Sequence, residues 1–235
     1  MPHVKALFFD VFGTLVDWRG SIAREARAAL SPIGAAIDWN AFADAWRGQY
    51  QPAMDQVRSG RLPFSKLDVL HRHNLDVILK DFGLDGLDEA TRTLLNQAWH
   101  RLDAWPDSAP GLARLRARYW LAPCSNGNIS IMVDLARRNG FVWDAILGAE
   151  VARDYKPKPA VYLTAVGAFD CEPEQTMMVA AHSSDLAAAA AAGLRTAFIA
   201  RPDEHGPGKG EPAPSVPVDL AVGSLTALAE RLVDA

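Results

Sequence analysis

Short apolar runs rich in β-branched and aromatic residues recur along the chain, separated by stretches in which apolar positions return every three or four residues. The runs are VKALFFDVF (4–12), YWLAPCSN (119–126), DAILGAE (144–150), TMMVAA (176–181), RTAFIA (195–200) and DLAV (219–222). Between the later ones lie ISIMVDLARRNG, PAVYLTAVGAF and DLAAAAAAGL, which carry the period of helices. Alternation of this kind predicts an α/β fold, a doubly wound, Rossmann-like parallel sheet with helices on both faces.

The interval after the first strand breaks the rhythm. A crossover needs about a dozen residues, yet 18–100 hold SIAREARAAL, WNAFADAWRGQY, SKLDVLHRHNLDVILKDFGL and DEATRTLLNQAWHRL with no convincing strand. This reads as an inserted helical cap domain, residues 18–100, on a Rossmann-like catalytic core made of residues 1–17 and 101–235. WPDSAPG (105–111) leads the chain back, and 201–217, with five prolines and three glycines, reads as a loop before the last strand and helix.

Composition narrows the function. Hydrophobic residues make up 49% of the 235, enough for a sizeable core, and the net charge of −4 argues against a nucleic-acid or polybasic membrane surface. Cys124 and Cys171 have no metal-ligand spacing and read as reduced thiols. No apolar stretch reaches the roughly 18 residues of a membrane helix, and the N-terminus lacks a cleavable leader pattern, so a cytoplasmic location is expected.

Ligands of open parallel sheets bind beyond the carboxyl ends of the strands, and the polar residues gather there. Asp10 to Thr14 close the first strand, Ser125 to Asn128 the second; Lys156 follows the third, and His182 to Asp185 the fourth. Each has a plainer reading: a turn or capping acid for Asp10, turn formers for Ser125 and Asn126, a solvated cation for Lys156, a helix-start acid for Asp185. Their joint placement on one sheet edge favours a site.

FDVFGTL, Ser125-Asn126-Gly127, the stretch from Lys156-Pro157 to Val161-Tyr162 and AAHSSDLAAAAAAGL together resemble the motifs of the haloacid dehalogenase superfamily, and within it the type II (L-)2-haloacid dehalogenases, including fluoroacetate-active members. The resemblance runs along nearly the whole chain. It implies hydrolysis of short 2-haloalkanoic acids to 2-hydroxy acids, with Asp10 as nucleophile and an aspartyl ester as intermediate. It also implies a homodimer. Phosphatases of the superfamily generally carry a second acid two residues after the nucleophile to protonate the leaving oxygen. That position is Phe12, and a halide leaves without a proton. Magnesium-binding relatives cluster acids in the last motif; Ala180, Ala181 and His182 precede a single Asp185, so no metal and no cofactor are expected. The competing reading is a magnesium-dependent phosphatase acting on a small metabolite.

The same resemblance assigns roles. Thr14 orients Asp10, and Lys156 keeps it ionised. The amides of Val11 and Phe12, with Ser125 and Asn126, receive the substrate carboxylate, while Arg47 grips the departing halide. Asp185 orients Lys156 or the hydrolytic water. Tyr162 matches a motif tyrosine and equally suits helix packing. Better-known members have Asn at the place of His182, which reads either as the base that activates water or as a hydrogen-bond partner of Asp185. The pocket expected is a small one.

Overall fold

In the computed structural model, residues 4–234 are described; residues 1–3 and 235, the outer ends of the two expected core segments, lie outside them. The six apolar runs form one parallel sheet: β1 (Ala6–Phe9), β4 (Trp120–Ser125), β5 (Leu147–Gly148), β6 (Thr176–Ala180), β7 (Arg195–Ile199) and β8 (Leu220–Val222). Their order is β5-β4-β1-β6-β7-β8. Counted among themselves this is 3-2-1-4-5-6, the doubly wound arrangement, whose winding reverses between β1 and β6.

Strict alternation along the strands feeds two cores. Leu7, Phe9, Leu121, Met177 and Val179 face one side and join a cluster with helices α6 (Ser108–Leu115), α7 (Ile129–Asn139) and α11 (Leu225–Val233). Ala6, Phe8, Ala122, Met178 and Ala180 face the other, against α9 (Pro159–Ala168) and α10 (Ser183–Ala191). Both faces are buried, so a one-residue slip of β1 would exchange Phe8 and Phe9 between differently shaped cores; register is fixed by packing.

The long excursion is helical: α1 (Trp18–Leu30), α2 (Trp39–Gly48), α3 (Tyr50–Arg58), α4 (Leu67–Ile78) and α5 (Glu89–Asn96). Local chemistry starts three of them, since Asp17, Asp38 and Asp88 accept backbone N–H groups of the first turns of α1, α2 and α5. Their apolar faces continue the core over the turn after β1. Two short strands, β2 (Val16–Asp17) and β3 (Asp103–Ala104), pair antiparallel where the chain enters and leaves this layer.

Further contacts tie the layer to the sheet domain. Tyr155 donates its hydroxyl to the Ser65 carbonyl at 2.6 Å, and Lys66 pairs with Glu150 at 2.8 Å. His100 stands between Asp134 of α7, at 2.8 Å, and Asp68 of α4, at 3.1 Å. WPDSAPG leads the chain back, and its second half is helical. From Ser108 onward it is the first turn of α6, and Gly111 inside that helix lets α11 approach: an added Cβ would meet the Leu225 carbonyl carbon at 2.8 Å.

Candidate active site

β1 ends where the sheet reverses its winding, and Asp10 is the next residue, 7% exposed. An acid brought into a protein interior must find compensating partners, and this one has three. Thr14 donates to Oδ2 at 2.7 Å, Lys156 Nζ to Oδ1 at 2.9 Å, and His182 Nδ1 lies 3.1 Å from Oδ2. Thr14 is itself fixed by the Ala181 amide, which donates to its hydroxyl at 2.9 Å. Gly13, at φ +88°, makes the turn after Asp10 and leaves room for Glu204: a Cβ there would lie 2.1 Å from Glu204 Oε1. No backbone or side-chain group among the described residues accepts from the amides of Val11 or Phe12.

The electrostatics follow from these contacts. Burial pushes the Asp10 carboxyl up, but Lys156 and His182 outweigh it and hold it well below the usual carboxylate range. Burial works against the Lys156 ammonium too, and Asp10 with Asp185 reverses the effect, leaving it firmly protonated. Lys156 also donates to Asp185 Oδ2, while the Tyr162 hydroxyl donates to Asp185 Oδ1 at 2.5 Å. Tyr162 therefore does more than pack its helix: it helps hold the acid that holds the lysine.

His182 is not a partner of Asp185. Its ring spans Asp10 and Glu204, with Nε2 at 2.8 Å from Glu204 Oε2. The reason lies in the backbone, because Asp185 sits in the first turn of α10 and faces Lys156, whereas His182 precedes the helix. Burial opposes the imidazolium, yet hydrogen bonds and charge from Asp10 and Glu204 raise its pKa to about 10. Glu204, 2% exposed, is held by Trp18 Nε1 at 2.9 Å, and the His182 contact keeps it ionised against its burial.

Sequence reading missed Glu204. It lies in the Pro/Gly-rich stretch taken for a simple loop, although Arg201, Asp203 and Glu204 follow β7 just as the other polar groups follow their strands.

Of the remaining expected residues, Phe12, Arg47 and Asn126 line a cavity of about 1020 Å³ beside Asp10, together with Lys156 and His182, whereas Val11 and Ser125 are not part of its lining. The cavity is far larger than the small pocket expected, because it runs outward between the helical layer and the sheet edge as far as Lys158, Lys209 and Glu211. Asn126 accepts the Lys156 amide at 2.8 Å through Oδ1, which leaves its NH₂ available; Ser125, fully buried, accepts the Gly127 amide at 3.0 Å. Arg47 reaches in from α2 with its guanidinium carbon 3.9 Å from the centre of the Tyr50 ring. Nearby, Arg58 donates to the Lys156 carbonyl at 2.7 Å, a second tie between the helical layer and the lysine segment. Among the described residues, no three His, Cys, Asp or Glu side chains are grouped to hold a metal ion.

A buried, ionised carboxylate with an ammonium on one oxygen and an open cavity beside it is equipped for nucleophilic attack. Comparison with known proteins identifies the family. The family model of haloacid dehalogenase-like hydrolases matches residues 4–193. (S)-2-haloacid dehalogenase 1 of Pseudomonas sp. (strain CBS-3) is 30% identical over 206 residues, 86% of either chain. The crystal structure of a defluorinating L-2-haloacid dehalogenase superposes with a TM-score of 0.95 at 44% identity, covering 97% of this chain and 95% of that one. That of another L-2-haloacid dehalogenase gives 0.94 at 45% identity, covering 99% and 100%. The chain belongs to the haloacid dehalogenase-like hydrolases.

Proposed function

We propose that the protein hydrolyses short-chain 2-haloalkanoic acids, chloro- and bromoacids and fluoroacetate, to 2-hydroxy acids through an ester on Asp10. The observation that carries this reading is an ionised Asp10 carboxylate whose partners leave it a free lone pair, with Phe12 where a proton-donating acid would otherwise stand. Oδ2 accepts from Thr14 and faces His182, whereas Oδ1 meets Lys156 alone. A carboxylate has about four acceptor positions, so Oδ1 is the attacking atom. It bonds to C2 from the face opposite the halogen, and the carbon–halogen electron pair leaves with the halide toward Arg47. The substrate carboxylate is received by the amides of Val11 and Phe12, Ser125 and the Asn126 NH₂.

The second half belongs to His182. Resting enzyme holds it as imidazolium between two carboxylates. Esterification removes the charge of Asp10, so only Glu204 still favours the proton, and the imidazole releases it to the cavity. With Nε2–H donated to Glu204, Nδ1 faces the ester and takes a proton from water as the water attacks Cγ. Collapse of the tetrahedral species breaks the bond between Cγ and the substrate-bearing oxygen, which takes the proton back from His182 as it leaves; the 2-hydroxy acid is freed, and the new Asp10 carboxyl returns its proton to His182, restoring the ion pair.

Two measurements test this. Halide release is expected from chloroacetate, bromoacetate, fluoroacetate and 2-chloropropionate with chelator present. A single turnover in heavy-oxygen water should label the Asp10 carboxyl before it labels product. Label confined to product would end the covalent route, and turnover of p-nitrophenyl phosphate with added magnesium would favour the phosphatase.

A further inference from the structure

The segment that carries Lys156 is gripped by the helical layer at three successive points. Lys66 pairs with Glu150 at 2.8 Å, the Ser65 carbonyl accepts the Tyr155 hydroxyl at 2.6 Å, and Arg58 Nη1 donates to the Lys156 carbonyl at 2.7 Å. All three partners come from one short stretch between the end of α3 and the start of α4. Arg58 stands apart from the other two. It lines the cavity, and its bond falls on the backbone of the lysine that meets Asp10.

The guanidinium is braced on its own helix. Nε and Nη2 donate to Asp55 Oδ1 at 3.1 and 2.6 Å, and Nη2 to Gln51 Oε1 at 2.9 Å, leaving the side chain 12% exposed. Ordering a long side chain is entropically unfavourable, and a surface ion pair with the exposed Asp55 contributes little to stability. What the brace achieves is to aim Nη1 at a carbonyl outside α3, where a charged donor makes a stronger bond than a neutral one.

Lys156 is held from its other side by the sheet domain, since its N–H donates to Asn126 Oδ1 at 2.8 Å. Pro157 follows and has no N–H to add an anchor. Both backbone groups of Lys156 are therefore fixed, one by each layer, and from that base Nζ reaches Asp10 Oδ1 at 2.9 Å.

We propose that Arg58 is a positioning residue for ester formation: by fixing the Lys156 carbonyl it sets where the ammonium meets Asp10 Oδ1, the attacking atom. The inference rests on the dehalogenase reading and adds a residue of α3 to the machinery. Its effect belongs to the first step, because none of the Arg58 hydrogen bonds reaches Thr14 or His182, which serve the second.

Rapid-quench single turnovers of bromoacetate test it, with bromide release timing ester formation and glycolate release timing hydrolysis. At saturating bromoacetate, Arg58→Met is expected to slow bromide release about tenfold, with glycolate following at no greater delay than in the unaltered protein. Arg58→Lys, which keeps a charged donor, should recover most of the rate. Unchanged bromide release would overturn the role. So would a loss seen only below saturation, which would put Arg58 on the substrate, or a longer delay before glycolate, which would mean a general disturbance of the site. Should Arg58→Met fail to fold, Asp55→Ala removes the brace instead and should give a smaller loss in the same step. Amide hydrogen exchange at Lys156 reads the positioning without turnover: it should quicken in Arg58→Met, and unchanged exchange would overturn the proposal. Quickened exchange in a protein that releases halide from no haloacid would sink the dehalogenase reading and leave the hold on Lys156 standing.

Discussion

At the scale of single residues, Glu204 decides how the second half-reaction runs. Its Oε1 is engaged by Trp18, and its Oε2 faces His182. In Glu204→Gln the carbonyl oxygen keeps the Trp18 bond and the amide nitrogen turns to His182 Nε2. It donates there, which puts the imidazole proton on Nδ1, where it cannot accept one from water. Ester hydrolysis is then expected to slow about 10²-fold while ester formation continues. Intact-mass measurement after mixing with bromoacetate should therefore show the Asp10 adduct accumulating, and equal slowing of both steps would refute the assignment. Sequence motifs pointed to Asp10, Thr14, Lys156 and Asp185 because short, ordered patterns carry them. Glu204 escaped because its neighbours are prolines and glycines, which read as punctuation whatever chemistry stands among them.

Elements were legible where burial on both faces forces continuous apolar runs, as in β1, β4, β6 and β7. Those defined by close approach were not, since α6 contains Pro110-Gly111, a pair that reads as a turn until α11 is seen lying against it. Gly111→Ala sets two effects against each other. Alanine improves helix propensity by about 1 kcal/mol, but a Cβ pressed on the Leu225 backbone, which cannot rotate aside, brings an overpacking cost of about 1–3 kcal/mol. We expect a net loss of up to about 2 kcal/mol by urea denaturation, with the activity of folded protein unchanged; a more stable variant would show that α11 can yield. The turn after β1 behaves differently. Gly13→Ala strains a positive φ and drives into Glu204, so it should lose about 1 kcal/mol of stability or more and also reproduce the ester accumulation of Glu204→Gln. Stability loss without accumulation would separate the turn from the site.

For the molecule as a whole, the site leaves a signature in stability against pH. His182 has its folded pKa raised from 6.5 to about 10, so the stabilisation it carries is complete below pH 6.5 and is lost as pH climbs toward 10. His100, raised by Asp68 and Asp134 against its burial, adds in the same direction. Asp10, Asp68 and Glu204 are lowered, so their contribution is present above about pH 4.5 and is lost as the solution is acidified through their folded values. His71, held neutral by its burial, works the other way and loses stability as pH falls below 6.5, so thermal midpoints should be highest near pH 6.5, and His182→Asn should flatten the alkaline limb. An unaltered limb in that variant would mean that His182 is not charged between its two acids. The pairing of Val16 with Ala104 and of Asp17 with Asp103 carries a mechanical consequence. Both chain crossings into the helical layer share one ribbon, so its covalent attachment to the sheet domain is confined to one place and the rest of its hold is side-chain contact. A module attached at one such point is also the kind that a lineage can exchange whole, retuning what enters the cavity while Asp10 and its neighbours stay where they are.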